Sequence, residues 1–113
     1  MRKDDLIRLR HMLDAAREAM RFAQSQTRGS LDTNRMLTLA IVKSLEILGE
    51  AASKVSRETR NALPELPWPN IISMRNRLIH AYFDINLDIV WKTITEDLPH
   101  LIPELEQVIP TEE

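Results

Sequence analysis

The chain contains no cysteine. Disulfides, thiolate catalysis and cysteine-ligated metals are therefore excluded, and the composition fits a cytoplasmic protein. Glycine is nearly absent, with two in 113 residues, and no Gly-rich loop exists that could cradle phosphates in the P-loop manner. Neither sign of charge dominates: 15 Lys and Arg stand against 17 Asp and Glu, a formal net charge of −2. A general nucleic-acid coat needs a clearly basic domain. Contact with RNA must therefore come through a local basic patch, including one assembled in an oligomer. No apolar run approaches the roughly 20 residues of a membrane span. The start "MRKDD" leads into no signal-peptide core, so no membrane partner is expected. No H-x-x-x-H or H-E-x-x-H spacing occurs, which leaves a helical zinc site unsupported. His11 and His100 read as lone histidines on helix surfaces or ends.

What is present favours helices. Hydrophobic residues make up 43% and charged residues 28%, with Leu, Ala, Arg, Glu and Met prominent, all good helix formers. The expected fold class is all-α, an antiparallel bundle of four to five helices in one domain over residues 1–113. Leu6, Leu9, Leu13, Ala16, Met20 and Ala23 recur at helical spacing and predict a first helix from about Asp4 to Gln26. Asp4 and Asp5 suit its N-terminus. A second helix is expected from Asp32 or Thr33 to about Arg57. Leu37, Ile41, Ser44, Leu48, Ala52 and Val55 mark one stripe of it, with Leu39, Val42 and Gly49 on the other side. A helix apolar on two faces must bury both, so the second face is a candidate subunit contact. Gly49 permits close approach by another helix. "RNALPELPWPN" is a Pro-rich connection, and Pro69 suits the first turn of a third helix over Pro69–Ala81. Asn86 or Asp88 can start a fourth helix through Asp97, and Pro99 and Pro103 interrupt the chain beyond it. The last helix, about Pro103 to Val108, either continues the fourth after a kink or packs separately. Trp91 reads as a core residue.

The third helix holds the chemistry. In "SMRNRLIHAYFD" (residues 73–84), a helical projection at about 100° per residue groups Ile71, Met74, Leu78, Ala81 and Tyr82 on an apolar side. Ser73, Asn76, Arg77 and His80 fall opposite, with Asn76 and His80 four apart and hence neighbours. Arg75 falls within the apolar arc. An arginine there must snorkel out or meet an anion. One reading is a structural ion pair with Glu50, Asp84 or Asp88. The other is a crevice where Arg75 and His80 converge, although an ideal helix sets them about 140° apart.

The order Arg75, four residues, His80, one residue, Tyr82 resembles the R-x-x-x-x-H-x-Y signature of the HepT-like ribonucleases of the HEPN superfamily. Asn76 matches the polar residue expected directly after the arginine. "ILGEAA" (47–52), "LPWPNIISMRNRLIHAY" (66–82) and "IVWKTITEDLPHL" (89–101) extend the likeness over most of the chain. The resemblance implies a helical homodimer with signature helices facing across a cleft. It implies a metal-independent endoribonuclease with no cofactor, the toxin of a type VII toxin–antitoxin pair. The implied partner is an MNT-type nucleotidyltransferase antitoxin that silences the enzyme by transferring AMP to the signature tyrosine. Carried onto this chain, Arg75 and His80 are catalytic, Asn76 supports them and Tyr82 is the modified residue.

Those residue types suit the chemistry. Histidine as a side-chain class titrates near pH 6.5 and can serve as acid or base. Arginine stays charged, and its planar fork matches phosphate oxygens. Arg77 is expected to line the RNA path. The alternative is a non-catalytic module that binds a nucleotide or the nucleotidyltransferase through the same cleft; a purely structural dimerisation domain is a weaker third reading.

Overall fold

The structure, a computed structural model, describes residues 1–80 and 84–110. Among them the chain is all-α, without a strand. Helix α1 spans Lys3–Ala23, α2 Arg28–Thr33, α3 Arg35–Ser53, α4 Arg57–Ala62, α5 Trp68–Ile72, α6 Met74–Leu78, α7 Leu87–Lys92 and α8 Leu98–Val108. A π-helical turn, Thr93–Asp97, joins α7 to α8.

The centre of the fold is the pairing of α1 with α3. Leu9, Met12, Ala16 and Ala19 of α1 and Ile41, Leu45, Leu48 and Ala52 of α3 are buried. Each set follows the spacing of three and four that puts apolar residues on one helical face. A hydrogen bond of 2.8 Å from the buried Ser44 hydroxyl to Glu18 Oε1 crosses the same interface. α8 closes α1 from the other end through Leu98, Leu101 and Leu105. Arg17 of α1 reaches Glu106 of α8 at 2.6 Å.

The second helix begins later than the sequence suggests. Residues 28–33 form their own short helix, α2, whose entry is a capping box between Thr27 and Ser30. Asn34, rather than Asp32 or Thr33, caps α3 by accepting the Leu37 N–H at 3.0 Å. Arg28 ties α2 forward to α7, its Nε donating to Asp88 at 2.9 Å. Hydrogen bonding to Asp88 is the main cause that raises the Arg28 pKa. Of the expected second face of α3, Val42 and Gly49 are buried by the chain itself and only Leu39 is exposed.

Asp5 does more than complement the dipole of α1. It is 3% exposed and caps a neighbouring helix. The Ser56 N–H (2.9 Å), the Ser56 hydroxyl (2.6 Å) and the Thr59 hydroxyl (2.6 Å) all donate to its carboxylate. Burial raises its pKa, but the hydrogen bonds from Ser56 and Thr59 and the charge of Arg2 outweigh burial, and the net direction is down from the usual 3.8. Ser56 in turn accepts the Thr59 N–H at the start of α4. One carboxylate thus fixes the chain where it leaves α3.

The prolines do not stop the last helix. Pro99 lacks the N–H that would bond the Thr95 carbonyl, and its ring would crowd that group in a regular helix. The π-helical turn over Thr93–Asp97 widens the backbone just before it, a known way for a helix to absorb such a fault. The Thr95 hydroxyl donates back to the Trp91 carbonyl at 2.9 Å. The fourth and last helices are therefore one continuous helical rod, with Pro99 and Pro103 both inside it.

Gly49 sets how close the signature segment comes to α3. A Cβ on Gly49 would lie 2.8 Å from the Ile71 carbonyl oxygen and 3.1 Å from the Met74 Cβ. The first is a contact with backbone, which cannot rotate away.

Two outcomes test this packing. Gly49→Ala should lower stability by about 1–3 kcal/mol through overpacking, despite a helix-propensity gain of about 1 kcal/mol. A urea midpoint equal to or above wild type would contradict the close approach. Asp5→Asn should cost roughly 2–3 kcal/mol at neutral pH. The Asp5 pKa is lower folded than unfolded, so its contribution is complete above the unfolded value and fades as pH falls through the folded value. The gap between wild type and Asp5→Asn, followed by denaturation against pH, should therefore close below about pH 4.

Candidate active site

The signature segment is not one regular helix. α5 and α6 meet at a kink at Ser73, which has φ −86° and ψ 12°. Its hydroxyl donates to the Pro69 carbonyl at 2.8 Å, the local competition by which serine bends helices. α6 then ends at Leu78, short of the expected Ala81. Ile79 turns extended and forms an isolated antiparallel bridge with Ile85. The Asn86 N–H donates to the Leu78 carbonyl at 2.7 Å, and the His80 N–H to the Asp84 carbonyl at 2.8 Å. Asn86 also caps α7 through its side chain, accepting the Ile89 N–H at 3.1 Å. The turn that carries His80 is thus pinned at its base from both sides.

Arg75 is not in the core. The kink swings it clear of the apolar arc that an ideal helix would give it, and its side chain is 57% exposed. It lies in a groove of about 340 Å³ between α3 and the α5–α6 kink, together with Lys43, Glu46, Ile47, Glu50 and Ile72. Its ion-pair partner is Glu46, with Nε 3.6 Å from Oε2. The acids expected from sequence are not that partner. Glu50 pairs with Lys54 at 3.4 Å and Asp88 with Arg28 at 2.9 Å. Glu46 carries no signal in the sequence that marks it, although it lies one helical turn before Gly49, the point of closest approach.

The remaining signature residues separate in space. Asn76 and His80 are both exposed. Because α6 stops at Leu78, no unbroken helix joins them and the four-residue helical spacing does not apply. His80 is outside the groove that holds Arg75. Arg77 points the other way. Nη2 lies 3.5 Å from Asp97 Oδ2 in the π-helical turn, and Nη1 is 3.4 Å from the Asn70 carbonyl. It lines a second cleft of about 270 Å³ with Asn70, Met74, Glu96, Asp97 and His100. Tyr82 lies outside the described residues. Among the described residues, no group of three or more His, Asp or Glu side chains could hold a metal ion, and no helix is long and apolar enough to cross a membrane.

Comparison with known proteins decides the family. The family model described as "Ribonuclease HepT-like" matches residues 12–108. The chain belongs to the HepT-like ribonuclease family. It is 33% identical over 97 residues to "Putative RNase MJ1380" of Methanocaldococcus jannaschii, covering 86% of this chain and 89% of that one. It is 40% identical over 77 residues to "Putative RNase TTE0752" of Caldanaerobacter subterraneus subsp. tengcongensis, covering 68% and 69%. It is 39% identical over 69 residues to "Probable ribonuclease HepT" of Thermococcus cleftensis, covering 61% and 63%. No solved structure matches significantly. Within this HepT-like chain, the arginine of the R-x-x-x-x-H-x-Y order lies on α6 and the histidine two residues past its end.

The exposure of Arg75 and His80 separates function from folding. Arg75→Ala and His80→Ala should each leave stability within about 0.5 kcal/mol of wild type, as surface changes do. A loss of several kcal/mol on chemical denaturation would instead assign them a structural role.

Proposed function

We propose that this protein is a metal-independent endoribonuclease that acts as a homodimer. In this reading it is the toxin of a type VII toxin–antitoxin pair, silenced when an MNT-type nucleotidyltransferase adenylylates Tyr82. The observation that carries the reading is Arg75: an exposed guanidinium at the mouth of a groove, held by one carboxylate and not spent in the core. His80 is displayed on a pinned turn two residues past the same helix. Relatives named as ribonucleases support the reaction class.

The chemistry follows from the two side chains. The ribose 2′-oxygen attacks the adjacent phosphorus, the P–O5′ bond breaks, and the products carry a 2′,3′-cyclic phosphate and a 5′-hydroxyl. The transition state gathers negative charge on the phosphoryl oxygens, where Arg75 stabilises it. His80 moves the proton. In a homodimer, the His80 of one copy takes the proton from the 2′-hydroxyl beside the Arg75 of the other, and a proton from solvent goes to the leaving 5′-oxygen. Asn76 supports this site and Arg77 lines the RNA path.

The dimer is supported by what α3 leaves exposed. Met36, Leu39 and Ile47 are 77%, 46% and 40% exposed. At about 100° per residue they share an arc of roughly 80° with Lys43 and Glu50. That stripe runs into the Arg75 groove, which Lys43, Ile47 and Glu50 also line. A second copy seated along it would cover the apolar residues and place two signature segments about one cleft. Two copies of Arg75 would then concentrate positive charge locally in a chain of net charge −2. AMP on Tyr82, two residues from His80, would put a negatively charged phosphate and a bulky base into that cleft. It would compete there with RNA for the same cations.

Purified protein should degrade RNA in EDTA and leave cyclic phosphate ends. His80→Ala should lose at least about 100-fold in rate and Arg75→Ala about 100- to 1,000-fold. Equal activity in wild type and His80→Ala, or loss of wild-type cleavage in EDTA, would overturn the reading. Coexpression with the antitoxin should add one or more AMP units to the intact mass, and none to Tyr82→Phe.

A further inference from the structure

We propose that Glu46 is a positioning residue for Arg75: it holds the guanidinium by its inner nitrogen so that the outer fork faces the substrate phosphate. The inference rests on the ribonuclease reading above and extends it to a residue outside the signature. The atom engaged is what distinguishes positioning from blocking. Glu46 Oε2 approaches Nε at 3.6 Å, which is a Coulombic contact and not a hydrogen bond. A carboxylate seated on the two terminal nitrogens would occupy the face that phosphate needs. From the Nε side it leaves that face open for bidentate contact.

The surroundings favour this assignment. Glu46 is the less exposed partner, 28% against 57% for Arg75, so the anchor is sheltered and the cation stands at the mouth. The other acid of the groove, Glu50, is drawn to Lys54 four residues on. Lys43 lines the same groove, and with Arg75 it keeps that wall attractive to an anion despite Glu46. The position is fixed by packing: Gly49 brings this turn of α3 against Ile71 and Met74, directly before Arg75. Arginine has several rotatable bonds, and holding it in one geometry before the transition state forms removes that ordering from the chemical step.

The test is steady-state RNA cleavage by Glu46→Gln, which keeps shape and removes charge. We expect kcat to fall about tenfold, the lower end for outer-shell partners. KM should stay level or drop, since a negative charge near the RNA is gone. The thermal midpoint should hold, which a merely structural contact would not require. In an Arg75→Lys background, where no Nε remains to be held in a fork, Glu46→Gln should have no further effect on kcat. Unchanged or raised kcat in Glu46→Gln, alongside loss in Arg75→Ala, would overturn the positioning role while leaving the ribonuclease reading intact. A further fall in the Arg75→Lys background would show that Glu46 acts elsewhere. Full activity in Arg75→Ala would instead remove the reading on which this one rests.

Discussion

The contact between Gly49 and the carbonyl of Ile71 governs the arrangement of the site. Only a residue without a Cβ lets α3 lie this close to the α5–α6 kink. That approach presses Met74 into the core and leaves Arg75, the next residue, on the groove side. Within reach of it on α3 is Glu46, one turn before the glycine. A larger residue at position 49 would push the kink outward, and Arg75 and Glu46 would move apart. A single hydrogen substituent therefore couples the core of the bundle to the charge at its surface.

The signature segment divides its labour by direction. Met74 and Leu78 point inward and are almost fully buried. Arg75 leaves toward α3, and Arg77 toward Asp97 of the π-helical turn, with the Asn70 carbonyl of α5 as a second partner. His80 stands on the turn beyond α6. The paired backbone of Leu78 with Asn86 and of His80 with Asp84 makes that turn a defined mount. In the proposed reading, one copy of the chain thus offers its phosphate-binding group and its proton-transfer group from separate places. The exposed stripe of Met36, Leu39 and Ile47 offers a physical reason for two copies to meet.

Much of the bundle is legible in the sequence, for reasons that can be named. The heavy use of Leu and Ala at helical spacing marks α1 and α3, since periodic burial is what a helix on a bundle requires. Pro69 at the start of α5 and Asn86 as the cap of α7 follow local rules that tertiary structure does not override. Gly49 is readable as a close-approach point. The failures share a cause as well. A uniform wheel over residues 69–81 puts Arg75 in the apolar arc, because it contains neither the kink at Ser73 nor the early end at Leu78. The first rests on serine's hydroxyl and the second on the pairing of Leu78 with Asn86 and of Ile79 with Ile85, not on periodicity. Asp5 looks like a dipole partner of its own helix, yet its capping of Ser56 and Thr59 spans more than fifty positions. Glu46 is hidden for the same reason, since nothing local to it shows which of several acids will face an arginine from another element. The π-helical turn before Pro99 is foreseeable only as an interruption.

Arg75 and His80 are proposed to act on one phosphate, brought together across a dimer. The measurement that tests this most directly is subunit complementation: inactive Arg75→Ala and inactive His80→Ala proteins are mixed, allowed to exchange subunits, and assayed on RNA. A cleft that takes Arg75 from one copy and His80 from the other regains one intact site in each mixed dimer. Recovery of a substantial fraction of wild-type cleavage is therefore predicted. Persistent inactivity, with subunit exchange confirmed by mass measurement of mixed dimers, would contradict it.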